Sequence, residues 1–388
     1  MTDPAQSYIG NADAFPVLNH LDFFNHAAVS PLPRAAADAL RRYADKAQTT
    51  AYLDSGWYRD IASLRQSAAA LMNARKDEIA FVKNTSEGVA IAAFGNEWNA
   101  GDRIVTTAVE YPANIYPWME LARSRGCELI LVPEETDANG RRHVPVEKVL
   151  EAADHPRTRA VTLSHVEYAS GQRFDLVPVG AFCRGRGILF CVDAIQSLGV
   201  LPVDVKAMHI DYLAAGGHKW LLGPEGTGVF YVRQELIERT RPPLVGWMNV
   251  VDALRYGTYN YTLRADAGRF EPGTLNVPGL LALKASVDVL ASIGIEAVSA
   301  RVQSLTDRLV TGLEAKGYSI YSPRDGGQWS GIVSFSCGDP SRHEATAQML
   351  RQNHRTEIVV REGRLRCSPH FYNTEEQIDR LVERLPGK

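Results

Sequence analysis

Short apolar runs alternate with helix-length segments from Ile79 to Val232. The runs are Ile79–Val82, Arg103–Thr106, Leu129–Val132, Ala160–Ser164, Ile188–Val192, Tyr212–Ala214 and Gly228–Val232. Runs this short and this uniformly apolar predict strands buried on both faces. Helical segments between them predict crossovers, hence an α/β fold with a mostly parallel sheet covered by helices. Ligands of such sheets sit beyond the carboxyl ends of the strands. Asp193 and the loops after Val82, Thr107 and Ser164 all fall there.

The flanking chain fits around that sheet. Leu21 to Pro31 reads as an extended segment that turns at Ser30-Pro31. Helices are predicted from Pro33 to Tyr43 and from Asp60 to Met72, the second with Ile61, Leu64, Ala68 and Leu71 on one face. Gly279 to Leu313 is helical with a break at Gly294. Beyond it, Gly331–Ser336 and Glu357–Arg361 read as strands. Thr374–Arg384 reads as a helix opened by Thr374, with Gln377 at capping-box spacing. The expected division is an N-terminal segment, 1–20, a large domain, 21–278, and a smaller α+β domain, 279–388.

Composition removes several functions. With 45% hydrophobic and 22% charged residues in 388, the chain is an ordinary globular one. A net charge of -3 gives no electrostatic reason to bind nucleic acid or an anionic membrane. No apolar run is long enough to span a bilayer. The opening MTDPAQSYIGNADAF has no basic stretch followed by an apolar core. The five cysteines are scattered, odd in number and free of CxxC spacing, which reads as free thiols with no metal site. The expectation is a cytoplasmic protein.

The run Ile188–Val192 ends on Asp193, and 24 residues later comes Gly217-His218-Lys219 before a glycine-rich turn. A buried acid and a buried lysine each cost several kcal/mol, roughly 2–7 even for uncharged polar groups, unless something pairs with them. Pyridoxal 5'-phosphate (PLP) wants both, a lysine for its aldehyde and an acid for its ring nitrogen.

The motif Asp193-Ala194-Ile195-Gln196 with Gly217-His218-Lys219 resembles the PLP site of the class V aminotransferases. That family includes cysteine desulfurases, kynureninases and isopenicillin N epimerase-like proteins. The resemblance spans about Leu21 to Leu385. It implies the PLP-dependent transferase fold, aspartate aminotransferase-like, in a homodimer. It also implies roles: Lys219 and Asp193 catalytic, Gln196 donating to the cofactor's phenolic oxygen, and Thr85, Ser86 and His218 on its phosphate.

Asn84-Thr85-Ser86-Glu87-Gly88 by itself reads either as an anion site at a helix start or as a helix cap. Tyr111, in Glu110-Tyr111-Pro112, matches the position of a ring-stacking histidine and is the third expected catalytic residue. On chemistry alone it could equally be a core aromatic, and it shuttles protons poorly near neutral pH. In Arg269-Phe270-Glu271-Pro272-Gly273-Thr274, Thr274 matches a threonine that reaches the neighbouring subunit's phosphate. Locally the segment is a Pro-Gly turn.

Arg366 matches the arginine that takes the substrate's α-carboxylate, with Arg361 and Arg364 as competitors. Tyr168 stands where desulfurases have an asparagine, and it and Ala28 complete the expected substrate contacts. Desulfurases also carry a persulfide-forming cysteine on a loop before that arginine. Here Glu362 to Leu365 fills the interval, and none of the four is a cysteine.

The expected activity is Cβ-substituent elimination from a small amino acid, C–S lyase-like, through a Cα carbanion and with no catalytic cysteine. Epimerisation or transamination starts from the same carbanion and stays open, as does desulfuration.

Overall fold

A computed structural model describes residues 4–137 and 140–387. The apolar runs become β1 (Ile79–Val82), β2 (Arg103–Thr107), β3 (Glu128–Val132), β4 (Thr158–Ser164), β5 (Leu189–Asp193), β6 (Tyr212–Gly216) and β7 (Gly228–Val232). Among the described residues they form one seven-stranded sheet in the order β1-β7-β6-β5-β4-β2-β3. Neighbours from β6 to β3 are parallel. β7 runs antiparallel to both β6 and β1. The connection from β6 to β7 spans only Gly217 to Thr227, shorter than the dozen or so residues that a parallel crossover needs. Lys219 lies in that tight connection.

Helix Arg34–Thr50 runs on past Tyr43 through Ala44, Lys46, Ala47 and Gln48, which favour helix, and helix Trp57–Ala70 starts three residues before Asp60 and ends two short of Met72. The long helical stretch breaks at Gly294, whose φ of 88° ends Val277–Ile293 before Ile295–Ala315 starts. Val277–Ile293 packs against both earlier helices. Its buried face therefore joins the large core, and the expected division at 278/279 falls within its first turn. Along Ile295–Ala315 that core reaches Val302 and a second core takes over at Leu305, while Ile332, Phe371 and Tyr372 also pack into the first.

The second core lies under a four-stranded antiparallel sheet of β8 (Ser319–Ile320), β9 (Val333–Ser336), β10 (Val359–Arg361) and β11 (Arg364–Cys367), ordered β8-β9-β11-β10. The strand expected at Glu357–Arg361 is split. Thr356–Glu357 pairs in parallel with Asp22–Phe23, and only Val359–Arg361 joins this sheet. Phe24 is thereby drawn into the second core. Asp22 reinforces the join by accepting from Arg380 at 2.8 Å, Arg384 at 2.9 Å and Gln377 at 2.9 Å. The last helix, Glu375–Arg384, has the expected box: Thr374 caps it and Gln377 returns the bond.

Candidate active site

The carboxyl ends of β1, β2, β4 and β5 converge on a cavity of about 340 Å³. Its floor is Asp193, the last residue of β5, 1% exposed. One carboxylate oxygen, Oδ1, accepts from the Ile195 N–H at 2.9 Å. The other, Oδ2, is buried without a partner. Burial pushes the Asp193 carboxyl up to about 6, against the attraction of Lys219.

Lys219 is 8% exposed, and burial brings its amine down to about 8, with Asp193 pulling it up and Arg366 and Arg361 pushing it further down. Among the described residues no acceptor holds its Nζ. Its backbone is held instead: the Ser30 N–H donates to the His218 carbonyl at 2.8 Å, and Ser30 Oγ donates to the Lys219 carbonyl at 2.5 Å. By sequence Ser30-Pro31 shows only the turn. The signal for this role was a hydroxyl at the end of a buried segment, too common to single out.

The helix Thr85–Phe94 points its N-terminus at the cavity. Its cap is Asn84, which accepts from the Glu87 N–H at 2.9 Å, so neither Thr85 nor Ser86 serves as the cap. Asparagine fits the extended backbone there and leaves both hydroxyls on the cavity wall. Thr85 Oγ1 accepts from the Gly216 N–H at 3.0 Å. His218 lines the same wall, half-buried, and burial and Lys219 hold its imidazole below the usual range.

Tyr111 is not a core aromatic. It is 45% exposed, it lines the cavity, and the Lys219 Nζ lies 5.5 Å from its ring centroid. Gln196 spans the back wall, donating to the Ala27 carbonyl at 3.0 Å and accepting from the Trp220 indole at 2.8 Å. Glu110, buried behind Tyr111, ties β2 to β4 by accepting from the Ser164 N–H at 2.7 Å and hydroxyl at 2.5 Å. Burial pushes its carboxyl up to about 8.

Arg366 closes the cavity from β11 and is 1% exposed. Its Nη1 donates to the Tyr168 carbonyl at 2.6 Å, its Nη2 reaches Asn25 Oδ1 at 3.4 Å, and its Nε has no partner. Burial and Arg361 lower it to about 10, which leaves it charged at neutral pH. Arg361 also lines the cavity, whereas the Arg364 guanidinium lies over the Tyr321 ring, 4.5 Å from its centroid. Ala28 and Tyr168 are on the wall. Thr274 is exposed and is the one expected site residue outside this chain's cavity.

All five cysteines are buried. Cys367 is 0% exposed and pairs with Val333 across β9 and β11, and burial raises its thiol well above the usual range. Burial also pushes Cys183 and Cys191 up to about 12.

The aminotransferase class-V model matches residues 22–381. The chain belongs to the class V aminotransferase family. It is a PLP-dependent enzyme of that family. A probable cysteine desulfurase of Pyrococcus abyssi is 31% identical over 385 residues, covering 95% of this chain and 94% of its own. A cystine C–S lyase, solved with its product cysteine persulfide, is 27% identical with a TM-score of 0.85, over 95% of this chain and 98% of that one. A variant of the same lyase, solved with glycine covalently linked to its PLP cofactor, has a TM-score of 0.87 at 26% identity, over 96% and 98%.

The residues of this class V chain suit that cofactor. Asp193 offers an unpartnered buried oxygen for a ring nitrogen, and Lys219 a buried amine with no hydrogen-bond acceptor among the described residues. Both are costs with no return until a group that uses them is bound.

Proposed function

We propose that this class V enzyme is a lyase that cleaves the Cβ–S bond of a small sulfur-bearing amino acid, without a catalytic cysteine. The observation that carries this reading is the turn between β10 and β11. Arg361 pairs with Arg364 across it, so Glu362 and Gly363 alone form the turn. It is too short to swing a thiol into the cavity, and every cysteine elsewhere is buried. A nucleophilic thiol has to be exposed and easily ionised. The relationship to a cystine C–S lyase supports the same substrate class; the desulfurase relatives support sulfur amino acids in general.

When bound, PLP supplies an electron sink for negative charge at the substrate Cα. Asp193 Oδ2 would keep a proton on the ring nitrogen. Thr85, Ser86 and His218 would hold the phosphate at the helix N-terminus. Gln196, with one N–H given to Ala27, has its second for the phenolic oxygen. Tyr111 offers its ring face to the cofactor, and Arg366 offers its unpartnered Nε to the α-carboxylate. Lys219 takes the Cα proton, and an amine near 8 is well matched to that task in mildly alkaline solution. For a substrate R–S–CH2–CH(NH3+)–CO2−, loss of R–SH and uptake of one water yield pyruvate and ammonium.

The test gives the PLP-loaded protein L-cystine or L-cysteine and measures pyruvate, alanine and released sulfur. Pyruvate should match the released thiol or persulfide, unchanged in Cys367→Ala. Borohydride should fix the cofactor to Lys219 and not to the Lys219→Ala chain. Alanine as the main product, lost in Cys367→Ala, would establish desulfuration instead. Deuterium uptake at Cα with neither product would point to epimerisation.

A further inference from the structure

Tyr168 makes two unlike contacts with the C-terminal unit. Its carbonyl accepts from Arg366 Nη1 at 2.6 Å. Its hydroxyl donates to Glu362 Oε1 at 2.8 Å, on the turn that joins β10 to β11. Its ring packs edge to face with that of Tyr111 at 5.1 Å and 73°, and Tyr111 in turn lies beside the Lys219 amine. One side chain thus touches the turn of the small sheet and the aromatic wall of the large one.

The backbone around Tyr168 is fixed from both sides. Glu167 accepts from the Ala169 N–H at 2.9 Å and from the Ser170 N–H. Ser330 Oγ donates to the Gly171 carbonyl at 2.6 Å, and Ser322 Oγ to the Ser170 carbonyl at 2.5 Å. Gly171, at a φ of 76°, would put a Cβ 2.7 Å from the Ile332 carbonyl, so the loop and the small sheet are in backbone contact. The turn opposite is held from its own side at one residue, where the buried His343 donates from Nδ1 to the Gly363 carbonyl at 2.7 Å. Glu362 and Gly363 both have positive φ, 47° and 71°, and both are exposed. Among the described residues the Glu362 side chain bonds to the Tyr168 hydroxyl alone, and that bond ties the turn across to the large sheet.

We propose that Tyr168 and Glu362 form a latch that holds the turn against the mouth of the cavity and so positions Arg366 for the substrate carboxylate. Tyr168 is a positioning residue here. The latch sits where the family resemblance puts the cysteine-bearing loop of desulfurases, and it rests on the Proposed function only in assuming that Arg366 binds a carboxylate. A fixed turn leaves the departing sulfur group to solvent and keeps the guanidinium, one strand-length away on β11, from swinging with the turn.

The test uses the PLP-loaded full chain and four variants: Tyr168→Phe, Glu362→Ala, the two combined, and Glu362→Gln, which keeps an acceptor. Glycine binding, followed by the change in near-visible absorbance, reads the carboxylate site without any elimination. Amide hydrogen exchange over 359–367 reads the turn directly. Tyr168→Phe and Glu362→Ala should each weaken glycine about 3- to 10-fold, raise KM for cystine likewise with kcat within about twofold, and speed exchange in the turn. The combined variant should be no worse than either alone, and Glu362→Gln should stay near wild type. Unchanged exchange and glycine affinity in Tyr168→Phe, or effects that add in the combined variant, would overturn the latch. Should cystine give no pyruvate while Tyr168→Phe still weakens glycine, the latch stands and the lyase reading falls. Pyruvate production with an inert Tyr168→Phe gives the reverse.

Discussion

Asp193 and Lys219 oppose the fold of the cofactor-free chain near neutral pH, each in its own direction. Asp193 is raised from 3.8 to about 6, so its stabilising contribution is complete below pH 4 and is lost as pH rises through 6. Lys219 is lowered from 10.5 to about 8, so its contribution is complete above pH 10.5 and is lost as pH falls through 8. Between those limits both are ionised and buried. For Asp193 the displacement corresponds to on the order of 3 kcal/mol. Denaturant titrations of cofactor-free protein should show the stability gap between Asp193→Asn and wild type moving in the variant's favour by that order from pH 4 to pH 7. A gap that stays constant with pH would clear Asp193 of this cost. For Arg366 the expectation concerns binding. Arg366→Ala removes a charge-assisted partner worth roughly 1.5–3 kcal/mol, so KM should rise about 10- to 100-fold while the cofactor spectrum holds. Arg366→Lys should not restore it, because an ammonium has no fork. Were KM unmoved, the carboxylate would belong to Arg361, the other arginine on the cavity wall.

At the level of elements, the helix Thr85–Phe94 brings Thr85 and Ser86 to the cavity wall, and its seat on the sheet depends on Gly88. A Cβ there would lie 2.6 Å from the Ala214 Cβ on β6. Gly88→Ala should therefore lift the helix, at a cost of about 1–3 kcal/mol in unfolding measurements, and weaken PLP retention. A variant as stable as wild type that holds PLP equally well would show that the contact relaxes without moving the helix. The boundaries of these elements followed from local pattern: β1 and β7 fall where the apolar runs do, and the break at Gly294 is where it was expected. Two details did not follow. Asn84 caps the first-turn hydroxyls' helix because only a side chain in the extended backbone before it can reach back to Glu87. The strand expected at Glu357–Arg361 divides at Ile358 because its two halves find different partners, Asp22–Phe23 and β11. An apolar run records that a segment is buried and is silent about whom it pairs with.

For the molecule as a whole, Thr274 is the informative residue. It is exposed, outside its own chain's cavity, and follows a stretch with Trp247, Tyr256, Tyr259 and Tyr261 on the surface. We propose a homodimer in which Thr274 completes the neighbouring site. Sedimentation should give twice the chain mass, and mixed dimers of Lys219→Ala with Thr274→Ala chains should regain one intact site and its activity. No recovery on mixing would place Thr274 on its own chain's site or on none. The chain by itself determined the alternation that makes a covered, mostly parallel sheet, and it set an acid at the end of β5 and a lysine in a short connection. Those properties depend on neighbours a few residues apart, within reach of period and turn chemistry. Which side chains share the cavity was decided only in three dimensions. Arg366 meets Asn25 and Tyr168, Ser30 holds Lys219, and Asp22–Phe23 joins the C-terminal unit across more than 300 residues. Such contacts form because the sheet brings distant strand ends to one edge, and no local periodicity records which ends will meet there.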